Sequence, residues 1–173
     1  DYLQVWLADS INNHCECEEC RKKIPSDYYV ILMNELDEAL AAKSLQTRIV
    51  FIAYLDTVFP PLVEKIKNSK RFSLMFAYIS RNYADTSIES KDLSLKPYER
   101  NKIPRIGALS DALRYYQKWR DSYDGDGIVF EYHFWRHLYY DVSGLQMAAR
   151  IFEDVALYRA NGFRGFIENG TLR

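Results

Sequence analysis

The residues Arg-Ile-Val-Phe-Ile-Ala-Tyr-Leu-Asp-Thr at positions 48–57 indicate the fold class. The run from Arg48 to Leu55 is strongly apolar and rich in β-branched side chains. A strand that is apolar on both faces is typical of a parallel sheet covered by helices. Four further apolar runs have this character, at residues 2–8, 72–79, 128–135 and 163–167. The sequence therefore predicts a sheet of about five strands.

Segments with apolar residues at helical spacing separate most of these strands. A first helix is predicted from Pro25 to about Lys43, with Ser26 or Asp27 as its N-cap. A second helix is predicted over residues 109–122 and a third between Ser143, as its cap, and the stop signal Asn161-Gly162. The predicted buried stripe of the third helix comprises Ala148, Ile151, Phe152, Val155 and Tyr158. Residues 84–104 are polar and irregular, as lids and binding loops are.

This alternation predicts an α/β fold with a parallel sheet. The closed architecture that fits best is the (β/α)8 TIM barrel, and the chain matches its C-terminal part, with about five strands. No glycine-rich phosphate loop follows a strand, which argues against a dinucleotide-binding fold. A complete barrel takes roughly 250 residues, whereas this chain has 173. We therefore expect a single, truncated domain that is inactive alone and forms a homodimer through open sheet edges near Tyr2 and Phe166.

Composition narrows the class of partner. The chain is 48% hydrophobic and 27% charged, which is the balance of a folded domain rather than a disordered one. Its 23 basic and 24 acidic residues leave no excess positive charge, so we expect no nucleic-acid partner. No apolar run approaches the roughly 20 residues that cross a bilayer, so we expect no membrane span.

Polar residues cluster where the apolar runs break. They lie at or just past the C-terminal strand ends, the edge at which parallel α/β folds bind ligands: Asp9, Tyr54, Asp56, Arg81, Glu131, His133, Glu168 and Asn169. Period-two alternation places Glu131 on the same face as Val129, and Glu168 on the same face as Phe166. If Val129 and Phe166 face the barrel interior, both carboxylates reach its mouth on neighbouring strands.

Two carboxylates on one rim are what glycoside hydrolysis requires, because one protonates the departing oxygen while the other attacks or activates water. Glu131 is the first candidate for a catalytic group, and Glu168 and Asp9 compete for the second. The candidate substrate-binding residues are Tyr54, Asp56, Arg81, His133 and Asn169. Arg81 is the natural partner of an acidic sugar, because its planar fork binds carboxylates through two hydrogen bonds.

A structural interpretation of the same residues stays open. A charged residue at a strand end is often a helix cap or part of a solvated turn. Glu131 can form an ion pair with Arg81 or Arg136, and His133 can be a hydrogen-bonded core histidine. Glu153 and Asp154, on the third helix, are predicted to be solvated.

The three cysteines lie within six positions, as Cys15, Cys17 and Cys20 after His14. A metal site is one interpretation, since Cys-x-Cys and Cys-x-x-Cys spacings direct several sulfurs at one soft ion, with zinc the expected metal. His14 needs a turn to become its fourth ligand. A Cys-x-x-Cys disulfide with one thiol left over is the second interpretation, and buried thiols packing a loop are the third. Neighbouring acids are expected to raise the thiol pKa values.

Several segments together carry a family resemblance. They are Asp-Ser-Ile-Asn-Asn-His-Cys-Glu-Cys-Glu-Glu-Cys (9–20), Asn-Glu (34–35), Ile-Ala-Tyr (52–54), Glu-Tyr-His-Phe-Trp (131–135) and Gly-Phe-Ile-Glu-Asn-Gly (165–170). With them the chain resembles the bacterial domain of unknown function 4838, a family of TIM-barrel glycoside hydrolase-like proteins near the α-glucuronidases. The resemblance implies a barrel, action on a complex polysaccharide and an exported location.

Two functional hypotheses follow. The first is a glycoside hydrolase domain that acts on a complex polysaccharide or acidic glycan by paired-carboxylate chemistry. The alternative is a non-catalytic carbohydrate-binding or scaffold domain whose cysteine loop is braced by a metal or a disulfide.

Overall fold

The chain folds as an α/β domain in the computed structural model, which describes residues 1–7, 9, 13–83, 95–102, 107–136, 141 and 143–170. The strands are β1 (Tyr2–Val5), β2 (Arg48–Ala53), β3 (Phe72–Ala77), β4 (Asp126–Glu131) and β5 (Gly165–Glu168). The α-helices are α1 (Glu18–Arg21), α2 (Pro25–Ala42), α3 (Leu109–Trp119), α4 (His133–Arg136) and α5 (Leu145–Ala160). Short 3-10 turns cover Leu55–Val58 and Ser69–Arg71.

The five strands form one sheet in the order β1-β2-β3-β4-β5, and every neighbouring pair is parallel. The predicted five-stranded parallel sheet is therefore confirmed. Because each strand lies beside its predecessor, every connection steps across the sheet in the same direction. Right-handed crossovers that all step the same way gather their helices on one face.

The two faces of the sheet differ accordingly. On the helix side, Ile49, Phe51 and Phe76 pack with apolar side chains of α2, α3 and α5 in one core. The opposite face carries Val50 and Ile52, and its apolar cluster includes no side chain from those three helices. We call this the helix-free face, because none of the three longer helices contributes to its cluster.

Helix α2 is fastened by the polar residues at its start. Asp27 accepts a hydrogen bond from the backbone N–H of Ile24 at 3.1 Å and others from the N–H groups of Val63 and Glu64. Ser26 donates to a backbone carbonyl in the connection after β2. The N-cap position is Ile24, not Ser26 or Asp27 as predicted. Both side chains face this connection and hold α2 against it, so Asp27 acts from inside the first turn.

The strand predicted over residues 128–135 is shorter than expected. Strand β4 ends at Glu131, and α4 makes a single turn behind it. Val129 and Phe166 pack in the helix-side core, so the condition that would bring Glu131 and Glu168 to the barrel interior is not met. Trp135 instead packs with the cluster of the helix-free face, because the period-two alternation stops where the strand ends.

The predicted inward stripe of α5 is confirmed only at Tyr158, since Ala148, Phe152 and Val155 are exposed. The helix buries Arg150, Asp154 and Tyr158, whereas Phe152 is 78% exposed. At its start, Asp141 accepts a hydrogen bond from the backbone N–H of Met147 at 2.8 Å. The inward stripe is therefore polar, which a search for apolar spacing misses. Of the predicted loop at residues 84–104, only 95–102 belong to the described part of the chain.

Candidate functional site

A cleft of about 680 Å³ lies on the helix-free face, at the edge where the strands end. Residues at or following the C-terminal ends of all five strands line it, including Trp6, Tyr54, Ile79, Tyr132 and Asn169. The volume falls within the range of small-ligand sites, which are roughly 300–1,000 Å³. The sheet edge that the sequence marks for ligand binding therefore carries a cleft.

Aromatic side chains dominate the cleft. Trp6 and Trp135 line it together with Tyr54, Phe130 and Tyr132. The ring centroids of Tyr132 and Phe130 are 5.2 Å apart in an edge-to-face arrangement. Those of Tyr132 and Trp135 are 6.0 Å apart. Trp6 is 47% exposed and offers its ring to solvent. Such surfaces suit a ligand with apolar faces.

Asp9, Tyr54 and Asn169 are the predicted site residues that line the cleft. The hydroxyl of Tyr54 donates to Oδ1 of Asp9 at 2.9 Å. Burial, together with this bond to the carboxylate, raises the pKa of Tyr54 to about 12. The phenol therefore stays protonated at neutral pH and remains a donor, which leaves the carboxylate of Asp9 as the acceptor.

Glu131 lies behind the cleft, in a buried network on the helix side. Its Oε1 accepts hydrogen bonds from Arg81 at 2.8 Å and from Tyr78 at 2.6 Å. Tyr158 also donates to Oε1, and Tyr83 donates to Oε2. Oε2 accepts a further bond from the N–H of Tyr132 at 3.0 Å. The carboxylate is buried, and protein groups donate all five of these hydrogen bonds.

Arg81 and His133 also belong to this network rather than to the cleft. Arg81 forms a bidentate pair with Asp154, in which Nη1 donates to Oδ2 at 2.5 Å and Nη2 donates to Oδ1 at 3.0 Å. The ring of His133 is held from both sides, with Nε2 at 2.8 Å from Asp154 and Nδ1 at 2.6 Å from Glu168. His133 is therefore a hydrogen-bonded core histidine, as the structural interpretation of the sequence allowed. The predicted ion pair of Glu131 with Arg81 is confirmed.

The charges in the network stabilise one another. Burial would raise the pKa of Glu131, but the charges of Arg81 and His133 hold it below its usual value. Burial would lower the pKa of His133, but its bonds to Asp154 and Glu168 raise it to about 9. His133 is therefore a cation at neutral pH, flanked by carboxylates. Glu131, His133 and Asp154 lie close enough to share a metal ion, but Arg81 already forms ion pairs with both carboxylates and His133 is bonded to Asp154.

Asp56 is not among the residues that line the cleft and instead contacts the cysteine loop. Its buried carboxylate accepts a hydrogen bond from Nε2 of His14 at 2.9 Å. The backbone of His14 is held by Asn101, which accepts from its N–H at 2.7 Å and donates to its carbonyl at 3.1 Å. Asp56 thus anchors the start of the cysteine loop.

The three cysteines are free thiols whose sulfur atoms lie within 4.8 Å of one another. Cys15 and Cys17 are exposed, so the interpretation as buried thiols that pack a loop is wrong. A hydrogen bond from the backbone of Cys20, together with the thiols of Cys15 and Cys20, lowers the pKa of Cys17 to about 7. The thiols of Cys17 and Cys15 raise the pKa of Cys20 to about 11. The expectation that neighbouring acids raise the thiol pKa is therefore wrong at Cys17.

Sequence reasoning missed Asp154, which was predicted to be solvated and is buried between Arg81 and His133. Its i, i+4 spacing with Arg150 and Tyr158 is the available signal, since a polar stripe at helical spacing opposite exposed apolar residues indicates a buried polar network. Glu153 is exposed as predicted. No helix in the described part of the chain is long and apolar enough to span a membrane.

Comparisons with protein-family models, with curated proteins and with solved structures find no match.

Proposed function

We propose that the aromatic cleft at the C-terminal edge of the sheet binds carbohydrate. The observation that carries the proposal is the lining itself: two tryptophans and two tyrosines beside one carboxylate and one amide. Sugar rings present C–H faces that pack on aromatic rings, and hydroxyl groups that bind carboxylates and amides at the rim. Asp9 and Asn169 would bind hydroxyls, while Trp6 and Trp135 stack on the ring.

The architecture is consistent with a TIM-barrel-like protein. A sequential strand order with helices on one face is the arrangement that closes into a barrel, whose ligands bind at the C-terminal strand ends. The cleft lies at that edge. The barrel, the relation to glycoside hydrolases and an exported location are parts of this proposal, and they rest on the resemblance described above.

Binding is tested with the purified chain and a panel of neutral and uronic-acid-containing oligosaccharides. We expect at least one oligosaccharide to bind, and Trp135→Ala to weaken that binding. Phe152→Ala is the matched control, since it removes an exposed aromatic ring from α5, outside the cleft. Equal binding by both variants would rule out the cleft as the sugar site.

Glycosidic hydrolysis is the second candidate, and one observation favours it. Asp9 places a carboxylate in the cleft. Glu168 faces the helix side with Phe166, and its Oε1 lies 2.6 Å from Nδ1 of His133. Hydrolysis predicts release of reducing sugar that Asp9→Asn abolishes. Binding without such release would favour the non-catalytic alternative.

A homodimer through the sheet edges is also proposed. No described strand pairs with the outer edge of β1 or of β5, and Tyr2 is 65% exposed. Unpaired edges are templates for pairing with another chain. Sedimentation of the purified chain tests this, and a monomer at every concentration would contradict it.

We propose, in addition, that Cys15, Cys17 and Cys20 bind a zinc ion that braces the loop at residues 13–24. Their converging free thiols carry the proposal, because zinc favours thiolate ligands. Metal analysis of the purified protein tests it, with one zinc per chain as the expected result.

A further inference from the structure

We propose that the metal site of Cys15, Cys17 and Cys20 keeps a fourth coordination position open for an exogenous donor, a thiolate or an imidazole. This rests on the metal proposed above for the same cysteines. The three sulfur atoms lie within 4.8 Å of one another. A tetrahedral ion with metal–sulfur bonds of about 2.3 Å sets its sulfurs about 3.8 Å apart. Small side-chain rotations therefore bring the three thiols onto one ion.

The loop is held in this shape from a distant part of the chain. Arg100 donates to the carbonyl oxygens of Cys15 at 3.2 Å, of Cys20 at 2.6 Å and of Lys23 at 2.6 Å. Asn101 holds His14 on the other side of the cysteines. Because these contacts fix the backbone, the thiols converge without a disulfide.

His14 and Glu16 flank Cys15, but neither belongs to the group of ligand atoms that lie within 4.8 Å of one another. Nε2 of His14 is bonded to Asp56 instead. The carboxylate of Glu16 is bonded to Arg21 at 3.0 Å and to Asn101 at 2.8 Å. Within the described ranges, no fourth cysteine, histidine or carboxylate joins the group of three sulfurs.

The exposure of the loop indicates what fills the fourth position. Cys15 and Cys17 face solvent, so an ion held by them is accessible from outside. Structural zinc sites are closed by four protein ligands, whereas sites with three protein ligands keep one position for water or for a ligand. Thiolate-rich sites select soft metals, and such metals accept thiolate and imidazole donors. The site therefore resembles an open ligand site more than a closed structural one.

The binding step balances without a redox reaction. A divalent ion displaces three thiol protons, which pass to the buffer, and three metal–sulfur bonds form. The resulting centre carries a net charge of −1, and water occupies the fourth position. An imidazole then replaces that water as a neutral nitrogen donor, while a thiol would release its proton on binding.

The test uses the full chain, reduced and loaded with Co²⁺, whose visible spectrum reports its ligands. Thiolate-to-cobalt charge-transfer bands are expected at one ion per chain. Addition of imidazole should then change the ligand-field bands saturably, with one imidazole per ion. A spectrum that imidazole leaves unchanged, with the thiolate bands present, would overturn the open position while the metal site stands. Failure to form any thiolate band would overturn the metal site itself.

Variants identify the ligands. Cys17→Ser should lose the three-thiolate bands, while Glu19→Gln, which changes an exposed acid of the same loop, should keep them. His14→Ala should keep both the bands and the response to imidazole. If only the His14→Ala protein responds to imidazole, His14 is the fourth ligand and the position is closed in the native chain.

Discussion

Nη1 of Arg81 lies 2.8 Å from Oε1 of Glu131, and both side chains are at most 2% exposed. The pair joins the end of β4 to the residues that follow β3, and Asp154 ties α5 to the same guanidinium. An acidic residue at a strand end thus serves here to hold three elements together. The cleft lies in front of this network, on the other face of the sheet.

Glu131→Gln should destabilise the fold, because it leaves the buried charge of Arg81 with one carboxylate fewer. Breaking a buried pair by removing one partner costs about 3–5 kcal/mol. Urea unfolding followed by circular dichroism measures the loss. Glu35→Gln, at an exposed position of α2, is the control and should change stability by less than about 0.5 kcal/mol. Similar unfolding midpoints for the two variants would show that the network contributes little.

His133 should make stability depend on alkaline pH. Its pKa is raised from 6.5 to about 9 in the folded state, so its contribution is complete below pH 6.5 and disappears as the pH rises through 9. That difference corresponds to a loss on the order of 3 kcal/mol.

The measurement is the free energy of unfolding from pH 6 to pH 10 in the Cys17→Ser variant. The thiol of Cys17 has its pKa lowered to about 7, so its titration opposes that of His133 in part of this range. His133→Gln in the same background should flatten the decline. An equally steep decline without the imidazole would assign it to another group.

Tyr29→Phe should lower stability by about 1–3 kcal/mol, the cost of leaving buried partners unsatisfied. The hydroxyl of Tyr29 accepts from the N–H of Ile52 at 3.1 Å and donates to the carbonyl of Val5, so it links β1 to β2. Tyr28→Phe, at an exposed neighbouring position, provides the comparison in thermal unfolding. Equal melting temperatures would contradict the bridging role.

Trp135→Ala should weaken oligosaccharide binding about tenfold or more, which corresponds to about 1.4 kcal/mol. Removing the ring eliminates stacking area in the cleft. Isothermal titration with the tightest-binding oligosaccharide measures the change, and Phe152→Ala should bind as the native chain does.

Much of the fold could be predicted from the sequence, because burial on both faces leaves continuous apolar runs such as residues 48–55. All five strands and the three longer helices occur where predicted, with shifted ends. It was harder to predict which face of the sheet each strand side chain occupies. Period-two alternation assigns relative faces only, so it cannot tell whether Val129 points to the helices or away from them. The alternation also stops where a strand ends early. Because β4 ends at Glu131, the face of Trp135 could not be predicted from the strand pattern, and its side chain lines the cleft.

The candidate site was predicted in part for the same reason. Asp9, Tyr54 and Asn169 lie at the sheet edge that parallel topology marks for ligands, and they do line the cleft. Glu131, Arg81 and His133 share that edge but point into the helical layer. Asp154 could not be found by proximity along the chain, because it reaches the network from α5.

Carbohydrate binding in the cleft can be followed through the three tryptophan indoles of the chain. Trp6 and Trp135 line the cleft, whereas Trp119 is buried and donates its indole N–H to the carbonyl of Thr57 at 3.0 Å. The measurement is a nitrogen–proton NMR titration of the labelled chain with the oligosaccharide panel. We predict that one sugar shifts the signals of Trp6 and Trp135 saturably and leaves that of Trp119 in place. If no oligosaccharide moves Trp6 or Trp135, or if all three signals move together, the cleft is not a carbohydrate site.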